Sequence, residues 1–201
     1  FLACGNSNYR ELISRADYSK TAEVGNLPAV SAGRVSHTFD LRGPSLLVDT
    51  ACSSSLAAVH FACESIKSGQ CSLAVVGTAN VYAYMDGKGA QSESGDSDRG
   101  GKRGKVFDND ADGMLNGEGA AALLLKPLDL ALKDNDIINA VIKGSALNHN
   151  GARTPTVSGQ KPEALAEVIQ EALENAQINH DTLSYIEASG AASRMGDPIE
   201  I

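Results

Sequence analysis

Apolar residues follow two rhythms along the chain. Leu46-Leu47-Val48 run together with no polar alternation, the pattern of a strand covered on both faces, within Ser45 to Thr50. From Leu56 the spacing changes to three and four (Leu56, Val59, Cys63, Ile66), which predicts a helix to Ser68 with Gly69 as its stop. Alanines at 57, 58 and 62 fill the opposite side, so this helix is expected to be buried all round. Leu73 to Val76 begins a second apolar strand, which Thr78 to Val81 ends, and Ala120 to Leu125 reads as a buried strand closed by Lys126-Pro127.

The flanking stretches are shorter in pattern. Phe1 to Cys4 reads as a strand end, Asn8 to Ala16 as a short helix, and the polar run to Leu27 as loop. Ala29 to Val35 has the small residues of a closely packed helix. Leu128 to Lys133 makes about two helical turns, and Ala140 to Ala146 a further strand. Pro162 suits the first turn of a helix whose apolar face is Leu165, Val168, Ile169, Ala172, Leu173 and Ala176. Ser184 to Ala188 is a last strand, which delivers the chain to Ser189. Strands alternating with helices predict an α/β fold with a parallel or mixed sheet.

Composition narrows the function classes. Of 201 residues, 42% are hydrophobic, enough for one good core, and the formal net charge of −8 argues against a nucleic-acid binder, since phosphate contacts need a basic face. No apolar run approaches a membrane span and no signal peptide is visible. The chain opens on apolar residues without Met and stops at Ile199-Glu200-Ile201, so it reads as a fragment of a larger domain. Cys4, Cys52, Cys63 and Cys71 form no CxxC pair and no metal-like grouping, which fits a reduced, cytoplasmic protein with Cys4, Cys63 and Cys71 packed. Asp108-Asn109-Asp110-Ala111-Asp112-Gly113 starts like a calcium loop. Its twelfth position is Gly119, with Glu118 one early, so no metal is expected.

Charged side chains leave readings open. Asp86 to Lys105 is almost devoid of apolar residues and is expected to be a surface loop. Its Arg99, Lys102, Arg103 and Lys105 fit either solvated charge or docking of an acidic carrier protein. Arg34 and Arg42 fit buried ion-pair anchors or surface charge. His37 and His180 are each expected just before a strand, at the surface, and His60 packed on its helix.

Cys52 carries the candidate chemistry. It lies on the turn between an apolar strand and a helix N-terminus, where unpaired backbone N–H groups and the helix dipole favour negative charge. A thiol there is a ready nucleophile, and the same N–H groups can hold an oxyanion. Position alone equally fits a packed structural cysteine.

The wording around it tips the balance. Gly43-Pro44-Ser45 with Val48-Asp49-Thr50-Ala51-Cys52-Ser53-Ser54-Ser55-Leu56 resembles the nucleophile motif of the β-ketoacyl synthase (ketosynthase) domains of modular polyketide synthases. Gly33-Arg34-Val35-Ser36, Phe39 to Arg42, Phe107-Asp108, Ala111 to Gly113, Gly117-Glu118-Gly119 and Gly196-Asp197-Pro198-Ile199-Glu200 extend the match over nearly the whole chain. The resemblance implies a thiolase-like fold of αβαβα layers, of which this is a fragment. Residues 1–132 would belong to the N-terminal half and 133–201 would begin the C-terminal half. It also implies acyl transfer to Cys52 from the phosphopantetheine of an acyl carrier protein, no bound cofactor, a homodimer joined through the strand leading to Cys52, and neighbouring domains in a multidomain synthase. Glu118 corresponds to a glutamate supporting the catalytic polar network. Asn148-His149-Asn150-Gly151 resembles an element of synthases served by free-standing acyltransferases (trans-acyltransferase systems).

One motif departs from the family. Where ketosynthases carry Glu-Ala-His-Gly-Thr-Gly-Thr, this chain reads Glu187-Ala188-Ser189-Gly190-Ala191-Ala192-Ser193. Ser189 replaces a catalytic histidine, Ala191 and Ala192 replace a threonine and a glycine, and Ser193 stands for the second threonine, which contacts substrate. Thioester uptake needs a thiolate and an oxyanion hole, whereas decarboxylative condensation also needs imidazole donors, each worth about a hundred- to a thousandfold in rate. The sequence therefore points to a non-elongating ketosynthase. The alternatives are a condensing enzyme with a relocated base, and a scaffold or gatekeeping domain without catalysis.

Overall fold

The computed structural model describes residues 1–4, 20–81, 104–111, 113, 117–156 and 159–201. The expected helix at Asn8 to Ala16, most of the loop at Asp86 to Lys105, and Asp112 lie outside the described residues. The described parts of 1–91 and 117–139 form one unit, and those of 92–116 and 140–201 a second.

The first unit is a sheet with one closely seated helix. Strands β1 (Leu2–Cys4), β2 (Ala74–Asn80) and β3 (Gly119–Leu125) pair in the order β1-β2-β3. β1 and β2 are parallel (Ala3 opposite Thr78), and β2 and β3 are antiparallel (Asn80 opposite Gly119, Ala74 opposite Leu125). The sheet is therefore mixed. The apolar stretch at Leu46 to Val48 joins on the free side of β1 as a single parallel bridge, Leu2 to Leu47. There Leu2 N donates to the Leu46 carbonyl at 2.9 Å, and Val48 N to the Leu2 carbonyl at 2.8 Å. It is shorter than a full strand, because the ladder stops at the turn before Cys52.

Helices α1 (Lys20–Gly25) and α2 (Pro28–Thr38) precede this bridge. The loop expected up to Leu27 is corrected by α1, a local turn that needs no apolar face; Asn26 N closes it on the Ala22 carbonyl at 3.1 Å. α2 starts at Pro28, whose missing N–H costs nothing in a first turn. His37 lies within α2, not before a strand. Neither arginine is a buried anchor. Arg42 pairs with Asp40 at 2.7 Å while both stay largely exposed, and Arg34 donates to the Gly25 carbonyl.

Helix α3 (Ser54–Lys67) lies against β1 and β2. Its seated face is made of the small residues: Ala57, Ala58 and Ala62 are fully buried and Ser65 nearly so, in one core with Ala3, Val48, Ala74 and Val76. Leu56 is 74% exposed, so the expectation of a helix buried all round fails. Alanines let the helix axis approach the sheet, and the larger residues are pushed to its flanks. Gly69 at φ +74° ends the helix, with Gly69 N on the Ile66 carbonyl (3.0 Å) and Gln70 N on that of Ser65 (2.9 Å). β3 forms where expected but is exposed along most of its length, Leu124 at 66%, while Leu125 at its end packs against the core under α3. α4 (Leu128–Lys133) follows, and Lys126 bridges Asp134 (2.5 Å) and Asp136 (2.6 Å) beyond its end.

In the second unit, α5 (Pro162–Ala176) buries Ala164, half-buries Leu165, Val168, Ala172 and Leu173, and leaves Ile169 48% exposed. Gly144 rests directly on it: a Cβ there would meet the Ala176 nitrogen at 2.5 Å and the Ala172 oxygen at 2.6 Å. The strands expected at Ala140 to Ala146 and Ser184 to Ala188 do not form. A strand exists only through a neighbour, and neither segment has a ladder partner among the described residues. The chain ends in the short helix α6 (Asp197–Glu200).

Candidate active site

Cys52 sits at the head of α3, its side chain exposed. The turn beneath it is held by side-chain oxygens. Asp49 Oδ1 accepts from Ala51 N (3.2 Å), and Ser53 Oγ donates to the Thr50 carbonyl (2.8 Å). Ser54 Oγ accepts from Thr50 N (2.8 Å) and donates to the Ala51 carbonyl (2.6 Å). Between them Ala51 adopts φ +55°, a left-handed conformation that costs an L-residue about 1–2 kcal/mol. The strained residue turns the chain from the bridge at Leu47 into the helix, and leaves Cys52 at its start.

Topology brings a second expected residue to the same end of this sheet. The Leu47 bridge, β1 and β2 all run parallel, so their C-terminal ends lie on one side. β3 runs oppositely and begins there, with Gly119 opposite Asn80. Glu118, one residue earlier, is exposed at that end, where Asn80 Nδ2 donates to the Gly117 carbonyl at 2.7 Å. Open α/β sheets bind ligands at this carboxyl end. Burial pushes the thiols of Cys4 and Cys63 up in pKa, and Asp49 adds to the effect at Cys4.

The altered motif lies in the second unit as a tightly laced loop. Asp197, 3% exposed, accepts from Phe107 N (2.7 Å) through one carboxylate oxygen and from Ser193 N (3.0 Å) through the other. Glu200 accepts from Ser189 N (3.1 Å) and Gly190 N (2.8 Å). Gly190 has φ +58°, and a Cβ there would meet Val106 Cγ1 at 2.4 Å. Ala192 adopts φ +51° while buried, so an alanine occupies a conformation suited to glycine. Its carbonyl accepts from Gly113 N at 3.0 Å, and the Ala111 carbonyl accepts from Arg194 Nε at 3.2 Å.

Ser189 itself is exposed and lines an open recess of about 500 Å³ with Phe107, Ile186, Glu187 and Glu200. Ser193 lines an adjoining cleft of about 540 Å³ with Phe107, Arg194 and Asp197; its Oγ accepts from Gly196 N at 3.0 Å, which leaves its own hydroxyl proton to donate. His149 Nδ1 accepts from Gly151 N at 2.8 Å, and exposed His180 pairs with Asp181 at 3.1 Å. In the loop that starts like a calcium site, Lys105 pairs with Asp110 at 3.0 Å and Asp110 N donates to Asp108. No cluster of metal-ligating side chains forms among the described residues. No described helix is long and apolar enough to cross a membrane. Sequence reasoning missed the laces, Asp197 and Glu200 as backbone acceptors and Ser54 as a turn clasp. An acidic pair three apart just after Gly196 is the signal for the first two.

The chain belongs to the β-ketoacyl synthase family. The family's N-terminal domain matches residues 1–131 and its C-terminal domain residues 139–201. Among known proteins it is 43% identical over 209 residues to polyketide synthase PksN of Bacillus subtilis, covering 100% of this chain and 4% of that protein. It is 42% identical over 184 residues to the lovastatin diketide synthase mokB of Monascus pilosus, covering 89% of this chain and 7% of that one. The ketosynthase from module 1 of the bacillaene synthase of Bacillus amyloliquefaciens superposes with a TM-score of 0.87 at 34% identity, over 99% of this chain and 36% of that structure. Ketosynthase twelve of the bacillaene synthase from the same organism gives 0.86 at 35%, with the same coverage. The fold is thiolase-like, and the chain spans about a third of these ketosynthase structures.

Proposed function

We propose that this chain is part of a non-elongating ketosynthase domain, which moves an acyl group between carrier proteins without extending it. Cys52 is the nucleophile. Its thiolate attacks the carbonyl of an acyl-phosphopantetheine thioester on an acyl carrier protein, forming a carbon–sulfur bond and an oxyanion held by N–H groups at the head of α3. Collapse expels the pantetheine thiolate, which takes up a proton. The reverse sequence delivers the acyl group to the thiol of a downstream carrier.

The observation that carries this reading is the loop at Ser189 to Ser193. Its backbone is laced by Asp197 and Glu200, while the side chain at 189 is a hydroxymethyl group. Decarboxylation of a malonyl thioester generates an enolate whose oxygen needs fixed donors, and a serine hydroxyl is shorter than an imidazole. Ser193 keeps a donor for the pantetheine arm, and Glu118 supports the polar network around the cysteine. No cofactor takes part. The same reading includes a boundary near residues 132–133 between thiolase-like halves, a cytoplasmic homodimer, neighbouring synthase domains and free-standing acyltransferases.

Intact-protein mass spectrometry with an acyl-pantetheine donor tests the proposal. One acyl group is expected on the chain, absent from Cys52→Ala, with no carbon dioxide released from malonyl carrier protein. Condensed product at ordinary ketosynthase rates would return the condensing alternative, and failure of Cys52 to acylate the scaffold alternative.

A further inference from the structure

The turn that presents Cys52 is strained at Ala51, and strain persists only where neighbours over-determine it. Gly would take φ +55° freely, yet alanine stands there. Two side chains grip its peptide groups. Asp49 Oδ1 holds the Ala51 N–H at 3.2 Å, a long and weak bond. Ser54 is better placed, since its single hydroxyl accepts from Thr50 N at 2.8 Å and donates to the Ala51 carbonyl at 2.6 Å. It thereby closes a ring around the turn from inside the helix. The Ser53 hydroxyl bonds behind the turn, to the Thr50 carbonyl and hydroxyl.

We propose that Ser54 is a positioning residue for Cys52: by clasping the Thr50 N–H and the Ala51 carbonyl at once, its hydroxyl holds the left-handed turn that aims the sulfur and the first N–H groups of α3 at a common point. This rests on the proposed role of Cys52 as an acyl acceptor. Attack on a thioester needs sulfur and oxyanion donors aligned together, and a misplacement of about 1 Å can cost on the order of a hundredfold. Alkylation by iodoacetamide needs the sulfur alone.

The test compares Ser54→Ala, Ser54→Val and Ser54→Thr in the full chain, reading Cys52 acylation by an acyl-pantetheine and Cys52 alkylation by iodoacetamide through peptide mass spectrometry. Valine and threonine share a shape and differ by the hydroxyl, so the pair remains informative should alanine unfold the protein. Acylation is expected to fall about tenfold or more in Ala and Val and to recover within about threefold in Thr, with alkylation less affected. Equal acylation in Val and Thr would overturn the proposal. If the unaltered chain takes up no acyl group, the acyl-transfer reading fails by itself. Hydrogen exchange at the Thr50 amide then decides the role of Ser54, with quickening in Val that Thr reverses supporting it and equal rates refuting it.

Discussion

Glu200 holds Ser189 by the backbone and leaves its side chain free: the carboxylate accepts from Ser189 N at 3.1 Å and from Gly190 N at 2.8 Å. Position 189, on which the proposed non-elongating reading turns, is thus placed by a group indifferent to its side chain. Glu200→Gln keeps one acceptor oxygen and points an NH₂ at the other N–H. The expected loss is about 1–3 kcal/mol, the range for a charged hydrogen bond lost with one donor left unpaired. Hydrogen exchange at Ser189 and Gly190 should quicken about tenfold or more.

Because the lacing does not depend on the side chain, Ser189→His should keep the loop and add an imidazole. A single fixed donor is worth about a hundred- to a thousandfold, so carbon dioxide release from malonyl carrier protein should rise at least about tenfold even with Ala191 and Ala192 unchanged. No rise would weaken the non-elongating reading.

Gly144 tests the packing of the second unit. A methyl added at this position would be driven into the backbone of α5 at Ala172 and Ala176, groups that cannot rotate away. Gly144→Ala should cost about 1–3 kcal/mol, read as a lower urea midpoint.

Tyr185 donates to Glu187, two residues before Ser189, and this hydrogen bond with the neighbouring negative charge raises the phenol above its ordinary 10.0. The neutral phenol is the bonded form. Its contribution to stability is complete below pH 10 and is lost as pH rises through the raised value. Near-ultraviolet titration, read as the difference from Tyr185→Phe, should place the Tyr185 ionisation above the ordinary value, and Glu187→Gln should bring it down.

Helices governed by local signals were legible. Leu128 to Lys133 and the Pro162 helix lie where their spacing and proline place them, and Gly69 closes α3. Burial was less legible, because period alone does not say which face a sheet will accept. α3 presents its alanines to the sheet, while Leu56 stands out. Strands at 140–146 and 184–188 were read from composition, but a strand is a relation between segments, and their partners are not among the described residues. The candidate positions Cys52, Glu118, Ser189 and Ser193 come from words in a motif. The carboxylates that lace the last two were not legible, since a backbone acceptor leaves no periodic mark.

The flush seating of α3 makes it a lever with its short arm deep in the protein. Ala57, Ala58 and Ala62 are sealed from solvent, so one extra methylene at Ala62 would lift the rod from the sheet and swing its tip. Size at those three sealed positions therefore bears on where the Cys52 sulfur points.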